Sequence, residues 1–293
     1  MPELPEVEAL ATFLDARTRG ARVADVTLAS LSALKTVSPS LTDLVGQVVA
    51  GCERRGKFLV LRTVDGPALV WHLSLGGWVQ WREDPPTGPV RPGKGPLALR
   101  VTFVSLDGEP VGGFDVTEYG TQKRLALYVV ADPAEVPGIA RLGPDALSDE
   151  LTRERFAAIL ADAGRAQVKG VLRDQSVIAG IGNAYSDEIL HAARLSPFHP
   201  ANTVTDEQVD ALYTAMRDGL RAAVDRSVGQ GTGTLKAEKK AMMAVHGRAG
   251  EQCPVCGDVV REVSFANRAL QYCPTCQTGG KPLADRRMSK LLK

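Results

Sequence analysis

The sequence has no run approaching the eighteen or so apolar residues of a membrane-spanning helix. Its start, MPELPEVE, lacks the positive-then-apolar pattern of a secretory signal. A cytoplasmic protein is therefore the expectation. The chain also lacks a strong net charge: 35 Lys and Arg against 34 Asp and Glu give +1, which by itself names no partner. Internal repeats are absent. Cysteine is scarce, five in 293 residues, and four of the five fall in two close pairs near the C-terminus. Cys52 stands alone in a strand-like region and reads as a small core residue.

What is present is an ordinary globular composition, 44% apolar and 24% charged, on a chain long enough for two or three modest domains. The charge is unevenly placed. Residues 236–293 carry eleven Lys and Arg against five Asp and Glu, a net of +6, which leaves −5 on the rest. A basic tail on a neutral chain suits a polyanionic partner or is merely solvated surface.

After Pro5, the residues Val7, Leu10, Ala11 and Leu14 repeat at helical spacing. Proline fits a first helical turn, where its missing N–H would have no partner. From about 21 to 131 the texture is that of strands: ARVADVTLA, GKFLVLRTV, PALVWHLSL, LALRVTFVS and RLALYVV are separated by Gly, Pro and Asp. The stretch REDPPTGPVRPGKGP holds five prolines and three glycines, so a long loop is expected there. Together these predict a β-sandwich or barrel with one leading helix, over residues 1–131. Residues 132–150 read as a linker. Beyond it the period is helical, with a Thr205/Gln208 capping box ahead of the stripe Val209, Leu212, Tyr213, Met216 and Leu220, a core face over 151–245. A small cysteine module occupies 246–293.

In that module Cys253-Pro-Val-Cys256 and Cys273-Pro-Thr-Cys276 are separated by sixteen residues, the length of a β-hairpin. Four thiolates suit one tetrahedral structural zinc; two disulfides are the other reading, disfavoured in a reducing compartment. Gly180, Gly182 and Asn183 lie between two helical stretches. There the backbone could approach a phosphate and Asn183 could cap the helix, or the turn is a plain helical hairpin. Lys57, leading into a strand, is by itself an exposed charge. Glu3 and Glu6 are by themselves helix-dipole carboxylates.

PELPEVE, RRGKFLVL, AGIGNAYSDEIL and CPVC…CPTC, in that order along nearly the whole chain, resemble the formamidopyrimidine-DNA glycosylase/endonuclease VIII family of base-excision repair enzymes. The resemblance implies a multidomain α+β fold: an N-terminal β-sandwich with its leading helix, a helix–two-turn–helix domain and a C-terminal zinc-finger β-hairpin. It implies a bifunctional DNA glycosylase and abasic-site lyase acting on oxidised or ring-opened bases by β,δ-elimination. One structural zinc and no organic cofactor are implied. The implied partner is damaged double-stranded DNA, with no membrane partner and the chain a monomer. Pro2 would be the nucleophile at C1′, Glu3 the acid/base partner and Glu6 a second carboxylate of the catalytic site. Lys57 would serve the catalytic site and, like Asn183, bind a phosphate beside the lesion, and Arg268 would grip phosphate from the finger. The secondary amine of Pro2, freed by removal of Met1, explains the opening prolines, because its condensation at C1′ gives an iminium cationic at any pH.

Two departures bear on substrate. Family members that excise 8-oxoguanine carry a long loop ahead of the finger, and TLKAEKKAMMAVHGRAGEQC is too short to supply it. Leu75 stands where the family places a gap-filling methionine, and FDVTEYGTQKRL replaces its arginine–phenylalanine stretch. A lyase with weak base excision and a non-catalytic binder of damaged DNA are the competing expectations.

Overall fold

The computed structural model describes residues 1–88, 90–93, 95–265 and 268–284, and forms two compact units. The first comprises Met1–Arg141 together with Val224–Leu235, the second Leu142–Ala223 together with Lys236–Lys293.

The first unit opens with helix α1 (Leu4–Thr18), whose apolar residues Leu4, Val7, Leu10, Ala11 and Leu14 are all buried. Eight strands follow: β1 (Arg22–Leu28), β2 (Val49–Arg55), β3 (Phe58–Thr63), β4 (Ala68–His72), β5 (Gly77–Arg82), β6 (Leu97–Val104), β7 (Pro110–Glu118) and β8 (Ala126–Val130). They pair antiparallel in two four-stranded sheets, ordered β1-β6-β7-β5 and β2-β3-β4-β8. Aromatic side chains fill the space between them. Trp71 of β4 stacks on Phe114 of β7 at 5.5 Å, and Phe114 lies 5.9 Å from Phe103 of β6. This is the expected β-sandwich with its leading helix.

Three strands, β2, β5 and β7, were not expected from local pattern. β7 contains Gly112-Gly113, which reads as a breaker. Here the pair is required by packing: a Cβ on Gly112 would lie 2.8 Å from both Arg82 O and the Trp81 ring.

The stretch expected as a linker is partly built into this unit. A short turn at Pro133–Glu135 and helix α2 (Pro137–Ala140) follow β8, and Val136 is fully buried among Val60, Val70 and Val130. The end of the helical region also differs from the expected 151–245 boundary. Leu235 is buried in the sandwich core, and Thr232 O accepts a 2.8 Å bond from Trp78 Nε1.

The second unit holds α3 (Arg153–Asp162), α4 (Val168–Arg173), α5 (Asn183–Ala192) and most of α6 (Asp206–Ser227), then all of α7 (Leu235–Met242) but its first residue. The predicted capping box ahead of α6 forms reciprocally: Thr205 N donates to Gln208 Oε1 at 3.0 Å and Gln208 N to Thr205 Oγ1 at 3.3 Å. The hairpin β9 (Arg261–Phe265) and β10 (Arg268–Tyr272) and helix α8 (Pro274–Thr278) complete it.

Directly opposed on β6 and β7, Arg100 and Asp115 form a buried pair. Arg100 donates to the carboxylate through Nε at 2.7 Å and Nη2 at 2.9 Å, and this bonding raises the Arg100 pKa. Removing one partner strands the other charge, so Asp115→Ala should cost about 3–5 kcal/mol. All three tryptophans lie in this unit, so denaturant unfolding followed by tryptophan fluorescence reads that loss directly. The Arg100→Met, Asp115→Leu double variant should lose less than Asp115→Ala alone.

Candidate active site

The site in the first unit begins at the cap of α1. Glu3 is the N-cap residue and Pro5 lies in the first turn. Glu6 reaches back, its Oε2 accepting from Glu3 N at 2.8 Å. Glu3 and Glu6 are 2% and 1% exposed, and Pro2 is buried beside them. Carboxylates that only met a helix dipole would sit in water; these are withdrawn from it. The far end of α1 is tied to β2. Asp15 accepts from Cys52 N at 2.8 Å, and Arg19 Nη1 donates to Ala50 O at 2.6 Å. Arg54 Nε meets Glu8 Oε2 at 2.6 Å, fixing the β2–β3 end to the first half of the helix.

Lys57 occupies a two-residue turn between Arg55 and Phe58, with Gly56 first at φ +56°. It is buried rather than the exposed charge that its local sequence suggests. His72 stands directly opposite Phe58, ring to ring at 4.8 Å. Desolvation first, and the neighbouring Lys57 charge second, push its imidazole down to about 4, so it is neutral at pH 7. Sequence reasoning missed His72, because a single histidine in a strand has no local signal.

Leu75 projects from a tight turn between β4 and β5 and is 54% exposed. Gly77 N closes the turn onto Leu73 O at 2.8 Å, and Ser74 takes the left-handed conformation at φ +51°. Gly76 is required here, since a Cβ would lie 2.0 Å from Tyr119 O. Tyr119 N in turn bonds Gly76 O at 3.1 Å, and the Tyr119 side chain is 61% exposed. The buried Glu118 carboxylate accepts from Arg124 N at 2.6 Å and Leu125 N at 2.8 Å, which folds the loop that carries Tyr119, Lys123 and Arg124. An exposed aromatic and an exposed leucine therefore rise from two turns bonded backbone to backbone. Tyr119 is a second residue that sequence reasoning did not single out.

In the second unit Asn183 is the first residue of α5, and Gly182, not Asn183, takes the cap position. The Asn183 amide instead donates to Ala269 O of β10 at 2.7 Å, and its Oδ1 is buried without a partner. The glycine loop is held by Gln175, which donates to Ile181 O at 2.7 Å and accepts from Gly180 N at 3.1 Å. Arg268 opens β10; its side chain, expected to grip phosphate, lies outside the described residues. Cys253, Cys256, Cys273 and Cys276 converge, their sulfurs all within 4.8 Å of one another. That matches the edge of roughly 3.8 Å expected of four sulfurs on zinc–sulfur bonds of about 2.3 Å. No helix among the described residues is long and apolar enough to cross a membrane.

Family models match the whole of this layout: a formamidopyrimidine-DNA glycosylase N-terminal domain at 1–116, its H2TH domain at 142–236, and a zinc finger found in FPG and IleRS at 250–279. The chain is 36% identical to the formamidopyrimidine-DNA glycosylase of Symbiobacterium thermophilum, over 94% of this chain and 89% of that one. The chain belongs to the formamidopyrimidine-DNA glycosylase family. An uncharacterized formamidopyrimidine-DNA glycosylase-like protein of Mycobacterium tuberculosis is 57% identical over 161 residues, 55% of this chain and 99% of that one. The crystal structure of the MutM (Fpg) protein from Thermus thermophilus superposes with a TM-score of 0.76 at 31% identity, covering 96% of this chain and 100% of that one. A Lactococcus lactis glycosylase bound to abasic-site DNA shares the fold, with a TM-score of 0.78 at 24% identity over 94% of this chain and 99% of that one.

The four cysteines form the structural zinc site of this family's finger. Four protein ligands leave no open position for water, so the metal supplies folding energy to the module. Cys52 is not part of it: burial, then the nearby Asp15 carboxylate, raises its thiol far above the usual range. Metal analysis of freshly purified protein should give one zinc per chain. After chelation four cysteines should alkylate while Cys52 stays protected, counted by mass spectrometry under native conditions. Alkylation of all four without chelation would reject the site.

Proposed function

We propose that this chain excises damaged bases from double-stranded DNA and cleaves the strand at the resulting abasic position, using Pro2 as nucleophile. The observation that carries the reading is the buried cap: two carboxylates and a proline are withdrawn from water at a helix N-terminus. A purely structural chain end would leave them solvated. Family membership and the burial of Lys57 in the same unit support the same reading.

The nitrogen of Pro2 is an amine only once Met1 is removed. A free α-amine titrates at roughly 7.7–8.0, and the positive end of α1 favours its neutral form. The neutral amine attacks C1′ and the N-glycosidic bond breaks, the departing base taking a proton. The Pro2 nitrogen loses its hydrogen and the C1′–O4′ bond opens, O4′ taking a proton, so that the product is a ring-opened iminium joining Pro2 to C1′. That cation acidifies C2′, whose proton passes to a base, and the C3′–O bond breaks with loss of phosphate; a second elimination breaks the C5′–O bond. Glu3, nearest to Pro2 in the chain, is assigned the proton transfers, and Glu6 holds the Glu3 backbone in place. Lys57 and the neutral His72 are assigned to a flanking phosphate, Asn183 and Arg268 to phosphates met by the second unit.

Borohydride should trap a covalent complex with abasic DNA, and mass spectrometry should place the adduct on Pro2. Pro2→Gly, a primary amine, should retain slower trapping. An adduct on a lysine would overturn the assignment, and no adduct at all would favour a non-catalytic binder.

Substrate choice follows from the turns. Extruding a nucleotide costs a few kcal/mol, least where the base is already poorly held. Leu75 and Tyr119 supply apolar and aromatic bulk to enter the gap, as wedging side chains do. The segment from α7 to Cys253 is too short to add a loop that closes over the flipped base. Lesions that leave the stack easily should therefore be preferred. This favours abasic sites, ring-opened purines and non-planar pyrimidines over 8-oxoguanine, which stacks and pairs well. Single-turnover rates on abasic DNA should exceed those on 8-oxoguanine opposite cytosine by about tenfold, equivalent to about 1.4 kcal/mol of missing transition-state contact. Equal rates would mean that another element grips the base.

A further inference from the structure

His191 lies in the last turn of α5 with its Nε2 3.3 Å from Cys253 Sγ. Both residues are almost fully withdrawn from solvent, at 5% and 2% exposure. Four thiolates around one zinc ion carry a net charge of −2, and burying such a charge is costly unless donors converge on the sulfurs. With the metal bound, Cys253 has no thiol hydrogen and can only accept. The hydrogen between the two atoms therefore belongs to His191 Nε2.

The position of His191 extends the point. Asn183, Asp187 and His191 fall four residues apart on one face of α5. Each bonds a different part of the finger: Asn183 Nδ2 to Ala269 O at 2.7 Å, Asp187 Oδ2 from Gln271 N at 3.3 Å, and His191 to Cys253. Asp187, wholly buried, is neutralised by Lys169 Nζ at 2.6 Å and also meets His246 Nδ1 at 2.8 Å. Glu188 accepts three successive backbone N–H groups, from Ala244, Val245 and His246, at 2.7, 3.0 and 2.8 Å. The helix is thus a mast along which the finger is fastened, and His191 is the rung that touches the metal ligands.

We infer that His191 is an outer-sphere positioning residue of the zinc site, donating Nε2–H to the Cys253 thiolate and so slowing loss of the metal. The inference rests on zinc being held by the four cysteines. Replacement of such outer-sphere partners elsewhere typically weakens metal binding by about 10–100-fold.

The test uses the full-length zinc-loaded chain and a chromophoric chelator. His191→Phe keeps ring bulk and removes the donor; zinc transfer should quicken by about tenfold or more. His191→Gln, which restores a donor near the Nε2 position, should return the rate to within a few-fold of the parent. A filler of core volume would show the opposite order, with Phe close to parent and Gln worse, and that result would overturn the inference. Nitrogen chemical shifts of the His191 ring in the parent protein, which need no variant to fold, should show the hydrogen on Nε2. A ring protonated only on Nδ1 would overturn it as well. If no zinc is bound at all, the metal analysis fails first, which separates failure of the zinc site from failure of the His191 role.

Discussion

The hydrogen bond from Glu3 N to Glu6 Oε2, at 2.8 Å, organises the first unit. It closes the start of α1 with a carboxylate that solvent no longer reaches, and so fixes the backbone of the residue that follows Pro2. The bond is effective because the rest of α1 cannot shift. Asp15 and Arg19 clasp β2 at one end of the helix, and Glu8 holds Arg54 near the other. The same Arg54 donates to Gly56 O at 3.0 Å, in the turn that presents Lys57. A helix cap, a strand pair and a cationic turn are therefore one rigid assembly, and the sandwich core is what holds it.

The second unit solves a related problem with a different element. α5 carries its chemistry-bearing residues on one face, and nearly every one is matched by a finger group. Asp187 in particular would be an uncompensated buried charge without Lys169. Small modules of this kind have little core of their own; among the described residues the buried clusters are small, one around Val245, Val260 and Cys273 and one around Val263, Leu270 and Tyr272. Zinc and the bonds to α5 supply what apolar burial does not.

The exposed turn at Leu75 and Tyr119 follows a third logic. Two large apolar side chains stand in water on a frame that is itself tightly made, with no room for a Cβ at Gly76. Rigid backbone under an exposed apolar side chain suits insertion into a stack, because little ordering remains to be done on binding.

Much of this was legible in the residues. Helical spacing after Pro5, the period-two runs, the Thr205/Gln208 box and the paired C-x2-C motifs each rest on a local rule. Each reappears as α1, as five of the eight sandwich strands, as the start of α6 and as the cysteine cluster. Local rules reach only a few residues. They misread Gly112-Gly113, whose need for glycine comes from Trp81 and Arg82 on one neighbouring strand and Val101 on the other, and they gave Lys57 to solvent although it is buried in its hairpin turn. They left Asn183 between a helix cap and a plain turn, whereas Ala269, 86 residues away, claims its amide. His72 beside Lys57 and His191 against Cys253 have no signature in sequence, since a lone histidine acquires its role from what packs against it. Sequence alone determined most of the elements and the chemistry available to them. Which side chains share a buried site was decided by tertiary packing, because desolvation and hydrogen bonding act between neighbours in space.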